Sequence, residues 1–156
     1  ISAITTPTGQ NNNTKEKKNK SDSIGINILN DDDDATNRIV LRGLLKNGNY
    51  TVIEADSGLA ALDIIKKQDN IDLVILDVMM PLMTGFQVCK IIRTNIPSYK
   101  LPIIFLTAKT TDNDVSEGFE AGGNDFLTKP TSKAILLPRV ASLLKLSDEA
   151  SKAFSN

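Results

Sequence analysis

The chain contains no histidine at all. That absence removes the Ser-His-Asp and Cys-His nucleophile pairs, and any zinc site of the usual ligand set. Cysteine is nearly missing too: Cys89 stands alone, so no internal disulfide can form, which suits a reducing compartment. No apolar stretch approaches the roughly 18 residues that a bilayer span needs. The N-terminus is polar rather than basic-then-apolar, so no signal peptide is expected. A net charge of −1 gives no basic surplus to draw the chain to nucleic acid. The expectation is therefore a cytoplasmic protein with no direct contact to nucleic acid or membrane. Whatever chemistry it performs must use carboxylates, lysine, hydroxyls and a hard metal ion.

What is present fits one domain with tails: 156 residues, 40% hydrophobic and 24% charged. Residues 1–23 carry Asn11-Asn12-Asn13 and Lys15-Glu16-Lys17-Lys18-Asn19-Lys20, with Ile1 and Ile4 as the only branched apolar side chains. Such a segment cannot bury enough surface to offset its ordering entropy, and it reads as a disordered linker. The chain opens on Ile rather than Met, so we expect it to be cut from something longer.

From Ile24 the pattern alternates strand and helix. Ile24–Leu29 reads as a first strand running into Asp31-Asp32-Asp33-Asp34. A helix follows over Thr36–Lys46, with Val40, Leu41, Leu44 and Leu45 as its apolar stripe. Thr51–Ala55 is a second strand and Leu59–Lys67 a helix behind Asp56-Ser57-Gly58. Leu73–Leu76, four branched apolar residues in a row, reads as a strand buried on both faces. The helix after it, Phe86–Arg93, should turn Val88, Ile91 and Ile92 inward. Pro102–Leu106 is a fourth strand, followed by a weak helix over about 112–121 with Val115 and Phe119 as its apolar pair. Asp125–Thr128 is the fifth strand. A last helix is expected from about Ser132 to Leu146, perturbed at Pro138. Residues 147–156 read as a polar tail. Five βα units of this length predict a parallel sheet with helices on both faces.

Three strands then end in polar residues of matching kind: Asp31 to Asp34, Asp77, and Lys129; a fourth ends in Thr107. In a parallel sheet all of these fall on one edge, where open α/β folds bind ligands. Singly each is weak, since Asp before a helix is usually a cap and Lys-Pro a common turn. Together they are not. Carboxylates gathered this closely repel one another unless a cation sits among them, and oxygen-only ligands point to Mg2+. A metal-held carboxylate beside Lys and Thr suits phosphoryl transfer to that carboxylate.

With those residues in place, the chain resembles the receiver domain of two-component response regulators. "DLVILDVMMPLMTG" (72–85) is similar to that family's phosphoacceptor stretch, "LPIIFLTA" (101–108) to its switch-threonine strand, and "GGNDFLTKP" (122–130) to its aromatic–Lys–Pro segment. The separations among Asp33, Asp77, Thr107 and Lys129 agree with the family's spacing. The resemblance covers 24–146 and implies a single doubly wound (βα)5 flavodoxin-like domain. It implies Asp77 as phosphoacceptor. Asp32, Asp33, Asp77 and the Met79 carbonyl would hold Mg2+, and Lys129 and Thr107 would meet the phosphoryl group. Thr107 and Phe126 would form the surface switch, Lys129–Pro130 a cis peptide, and Met79 and Lys109 would tune hydrolysis. The donor would be a phosphohistidine supplied in trans by a histidine kinase or histidine phosphotransfer protein. The output would pass to an effector in the same longer chain or in a partner.

The family normally has buried aliphatic residues where Asn30 and Asp31 stand. A shift by one would make Asp31 and Asp32 the metal pair; spacing and the gapless first helix favour Asp32 and Asp33. Other readings fit less well. A haloacid-dehalogenase-type phosphohydrolase needs an Asp where Met79 stands. A flavodoxin-like binding module should open its first strand into a Ser/Thr/Gly phosphate loop, and four Asp would repel a phosphate there. A phosphorylation-dead interaction domain should lack a site residue, and none is missing.

Overall fold

Short apolar runs bounded by turn residues build the sheet, and amphipathic segments between them cover it. The computed structural model describes residues 25–108 and 110–154; the linker expected over 1–23, the strand start at Ile24, and Lys109 lie outside the described residues. The elements are β1 (Asn27–Asp31), α1 (Ala35–Lys46), β2 (Thr51–Ala55), α2 (Gly58–Lys67) and β3 (Leu73–Asp77). They continue with α3 (Gly85–Arg93), β4 (Ile103–Thr107), α4 (Asp112–Glu120), β5 (Asp125–Thr128) and α5 (Lys133–Phe154). The strands are parallel in the order β2-β1-β3-β4-β5. Chain order reverses between β1 and β3, and the crevice beyond their C-terminal ends is where such sheets hold ligands.

Two apolar clusters sandwich the sheet. One gathers Leu29, Val74, Leu76, Ile103 and Phe105 with Ala61 of α2 and Phe86, Val88 and Ile92 of α3. The other gathers Ile28, Leu73, Ile75 and Ile104 with Leu41 and Leu45 of α1 and Leu136, Val140 and Leu144 of α5. All five residues of β3 and of β4 are buried, as the unbroken apolar runs required. Among the described residues, no helix is long and apolar enough to cross a membrane.

Helix starts follow from their caps. Asp34 accepts from the Thr36 amide, Ser57 from Ala60, and Thr84 and Thr111 form capping boxes with Gln87 and Asp114.

The structure departs from the expected elements in several places. β1 begins at Asn27, after Gly25 and Ile26, and extends through Asp31, because its ladder continues to Ala55 on one side and Leu76 on the other. Likewise Asp77 and Thr107 are the last residues of β3 and β4 rather than the first residues beyond them. On α1, Leu41 and Leu45 are buried while Val40 is 58% exposed; on α3, Ile91 is 43% exposed beside buried Val88 and Ile92. Phe119 also faces outward, and α4 seats itself through buried Gly118, whose missing side chain leaves room for the rings of Phe105 and Phe126.

The last helix does not stop at Leu146. α5 runs unbroken across Pro138 and on to Phe154. Residues 147–154 gain partners that composition did not reveal: the Ser147 hydroxyl donates to the Tyr99 carbonyl, Phe154 packs on the Tyr99 ring, and Asp148 pairs with Lys152.

Gly85 fixes how α3 meets the site. A Cβ there would lie 2.4 Å from the carbonyl oxygen of Asp77, and both are backbone-bound positions that cannot swing away. Gly85→Ala is expected to destabilise the fold by about 1–3 kcal/mol through overpacking. Urea unfolding of the two proteins measures this; an unchanged midpoint would show that α3 can slide off β3.

Candidate functional site

The four consecutive aspartates have four different environments. Asp31 ends β1 inside the sheet and is 1% exposed, and among the described residues neither of its carboxylate oxygens has a hydrogen-bond partner. Burial, and then the charges of Asp32, Asp77, Asp56 and Asp33, push its pKa up to about 8. Asp32 is 4% exposed and fully engaged. One carboxylate oxygen accepts from the Lys129 ammonium at 2.7 Å and the other from the Asp34 amide at 2.9 Å. Asp33 is exposed at the turn, and Asp34 caps α1.

Asp77 lies at the adjoining strand end, 6% exposed, with one carboxylate oxygen 3.4 Å from the Lys129 ammonium. Burial and the neighbouring Asp32 raise its pKa to about 6, against the opposing pull of Lys129 and of the Met79 amide. Burial by itself would lower the Lys129 pKa, but its hydrogen bonds and charge pairing with Asp32 and Asp77 outweigh that and hold it above the ordinary value. Lys129 reaches the cluster because its backbone amide donates to the Thr107 carbonyl at 2.7 Å, which extends the β4–β5 pairing by one step. The Lys129–Pro130 peptide that follows is cis.

Asp32, Asp33 and Asp77 each offer a carboxylate oxygen, and the three lie within 4.8 Å of one another. The donor set is all oxygen and partly buried, and burial first, then the charge of Asp32, raises the Asp77 pKa. A hard divalent cation such as Mg2+ fits such a set and would relieve that repulsion. Asp31 does not join the three; alternation along β1 puts it on the face that Leu29 shares, the side covered by α2 and α3.

The remaining expected site residues are near but differently exposed. Thr107 is buried at the end of β4, beside β3. Phe126 on β5 is half-buried, its ring 5.8 Å from that of Phe105 and 6.2 Å from that of Phe86. Met79 is 70% exposed on the loop after β3. Sequence reasoning missed the groups that brace the site. Arg38 of α1 donates to the Asp32 carbonyl at 2.6 Å, and Glu54 of β2 pairs with both Arg38 and Arg42. Arg93 ties α3 to the Gly122 carbonyl and the Asn124 side chain. Charged residues at helical spacing look the same in sequence whether they face water or a neighbouring strand.

Comparison with known proteins agrees with this fold. The family model described as response regulator receiver domain matches residues 28–141. The sensor histidine kinase CheAY of Helicobacter pylori is 35% identical over 149 residues, which is 95% of this chain and 18% of that protein. The transcriptional regulatory protein YrkP of Bacillus subtilis is 40% identical over 120 residues, 77% of this chain and 49% of that protein. The chain thus spans about half, or much less, of the length of these curated relatives. Among solved structures, the chemotaxis protein CheY4 of Vibrio cholerae superposes with a TM-score of 0.70 at 31% identity, covering 76% of this chain and 98% of that one. Motif order, strand order and family match agree: the chain belongs to the response regulator receiver domain family of two-component signalling.

Proposed function

We propose that this receiver domain takes a phosphoryl group from a partner's phosphohistidine onto Asp77 and converts it into a change of surface. One observation carries the reading: Asp77 is within reach of two other carboxylates and an ammonium at once, at the ligand edge of the sheet. An Asp77 carboxylate oxygen bonds to phosphorus as the donor's P–N bond breaks, and the imidazole leaves with the electron pair and takes up a proton. Negative charge spreads over the phosphoryl oxygens, so positioning and charge neutralisation do most of the work. Lys129 is held ready for this by Asp32, and Thr107 donates a hydrogen bond to one oxygen. Asp32, Asp33, Asp77 and the Met79 carbonyl would hold Mg2+, which when bound supplies positive charge to the phosphoryl oxygens.

No external substrate is converted. The phosphate adds about −1.5 to −2 charges to the pocket. Thr107 moves toward it and Phe126 turns further inward, shifting the face of α4 and β5 between two states. Gly118 makes that face sensitive to the ring, since α4 rests directly on Phe126 there. The donor is a histidine kinase or histidine phosphotransfer protein, acting in a cytoplasmic, reducing setting. The effector is a further domain of a longer chain or a separate protein; direct nucleic-acid or membrane contact is not part of the reading.

Met79, apolar and exposed, offers nothing to orient an attacking water, and Lys109 stands at the other tuning position. The phosphate is expected to persist for minutes or longer without a partner; loss within seconds would contradict the role given to Met79. The reading as a whole is tested with phosphoramidate, a P–N donor, and Mg2+. Intact mass should rise by one phosphate, and hydroxylamine should remove it, as for an acyl phosphate. A phosphate that resists hydroxylamine would overturn the assignment to a carboxylate.

A further inference from the structure

The β1–α1 turn carries two of the three clustered carboxylates, yet its sequence, four aspartates in a row, has every electrostatic reason to splay apart. Asp32 is gripped at four points. Its amide donates to the Ala55 carbonyl, its two carboxylate oxygens meet Lys129 and the Asp34 amide, and its carbonyl accepts from Arg38. The last contact stands out because a side chain there holds the backbone of the turn itself. At 2.6 Å it is a short, charge-assisted hydrogen bond, and the Arg38 side chain is only 19% exposed. Arg38 is itself aimed by Glu54, 3.4 Å from its Nε, and Glu54 is anchored a second time by Arg42. That pairing holds the Glu54 carboxyl below its usual range. A chain of contacts therefore runs from β2, through Glu54 and Arg38, to the backbone between Asp32 and Asp33.

We propose that Arg38 is a positioning residue of the cation site: by fixing the Asp32 carbonyl it sets the turn that presents the Asp32 and Asp33 carboxylates together with Asp77. The inference rests on the Mg2+ reading above. Partners that orient the residues holding a metal, without touching the metal themselves, commonly change its affinity by about 10- to 100-fold when lost. Arg42 provides the internal control. It shares Glu54 with Arg38 but has no bond to Asp32, so removing it also takes an arginine from Glu54 without releasing the turn.

The experiment is direct Mg2+ titration by calorimetry on wild type, Arg38→Met, Arg38→Lys and Arg42→Met, with the unfolding midpoint of each metal-free protein recorded alongside. Arg38→Met should weaken Mg2+ binding about 10- to 100-fold, while Arg42→Met stays within about twofold of wild type. Arg38→Lys should recover part of the loss, since an ammonium can reach the carbonyl but cannot hold it and Glu54 with one planar fork. Equal affinities in Arg38→Met and wild type would overturn the proposal, as would equal losses in Arg38→Met and Arg42→Met. If Arg38→Met unfolds, the comparison of Arg38→Lys with Arg42→Met decides: the lysine variant must bind Mg2+ more weakly. Absence of Mg2+ binding by wild type would instead contradict the cation reading itself.

Discussion

Replacing Asp31 by valine should raise the unfolding temperature of the metal-free protein by about 5–10 °C at pH 7.5. The carboxyl is 1% exposed, has no hydrogen-bond partner on either oxygen among the described residues, and feels the charges of Asp32, Asp77, Asp56 and Asp33. Burying an unpaired polar group costs roughly 1–3 kcal/mol by protein mutational data, and valine adds apolar burial in its place. For a domain of this size each kcal/mol corresponds to about 2–4 °C.

The pH dependence identifies the cause. A carboxyl raised from its ordinary 3.8 to about 8 keeps its proton in the folded state where the unfolded chain has already released it. The folded state then binds more protons than the unfolded one, so stability falls as pH rises from about 4 to about 8, by at most about 1.4 kcal/mol per pH unit. Asp77, raised to about 6, erodes stability in the same direction, but only up to about that pH. Between pH 6 and 8 the slope belongs to Asp31, and Asp31→Val should remove it. Urea unfolding of both proteins at several pH values in EDTA provides the measurement. A variant no more stable than wild type, or one with the same slope above pH 6, would mean that Asp31 is not held as a buried neutral acid.

Lys129→Met should slow phosphoryl uptake from a small donor by about 100-fold or more, the usual cost of removing one electrostatic contact from developing charge. Lys129 is the cation that touches both Asp32, at 2.7 Å, and Asp77, at 3.4 Å. Its loss leaves those carboxylates facing each other without it, so the Asp77 pKa should rise further. Mg2+ binding should strengthen, because the competing ammonium is gone. The two effects run in opposite directions, which separates this variant from one that is simply misfolded. Metal titration and mass-detected phosphorylation on the same sample give both numbers. Weaker Mg2+ binding together with normal uptake would refute the role assigned to the lysine.

Much of the fold could be read from residues alone. β2 and β5 occupy the expected ranges because turn residues bound them on both sides: Asn47 to Asn49 and Asp56-Ser57-Gly58 around one, Gly122-Gly123 and Lys129-Pro130 around the other. Asp77, Thr107 and Lys129 fall at one edge of the sheet because its strands are parallel, which is a property of topology rather than of any side chain. The aspartate run was legible in part. Its spacing to Asp77 favours Asp32 and Asp33 as the clustered pair, which is the pair the structure gathers; the burial of Asp31 and the capping by Asp34 depend on the register of β1 against β2 and β3. The end of α5 was hidden for a related reason, since Ser147 and Phe154 acquire partners only once the segment around Tyr99 is folded beneath them. The Glu54–Arg38–Asp32 chain is likewise tertiary, and in sequence its members look like an ordinary charged surface.

The most direct test of the central claim is intact-mass analysis of wild type and Asp77→Asn after incubation with phosphoramidate, each with Mg2+ and with EDTA. Wild type with Mg2+ should gain one phosphate, wild type in EDTA should gain little, and Asp77→Asn should gain none in either buffer. A wild-type protein that takes up no phosphate, or an Asp77→Asn protein that still does, would contradict Asp77 as the acceptor.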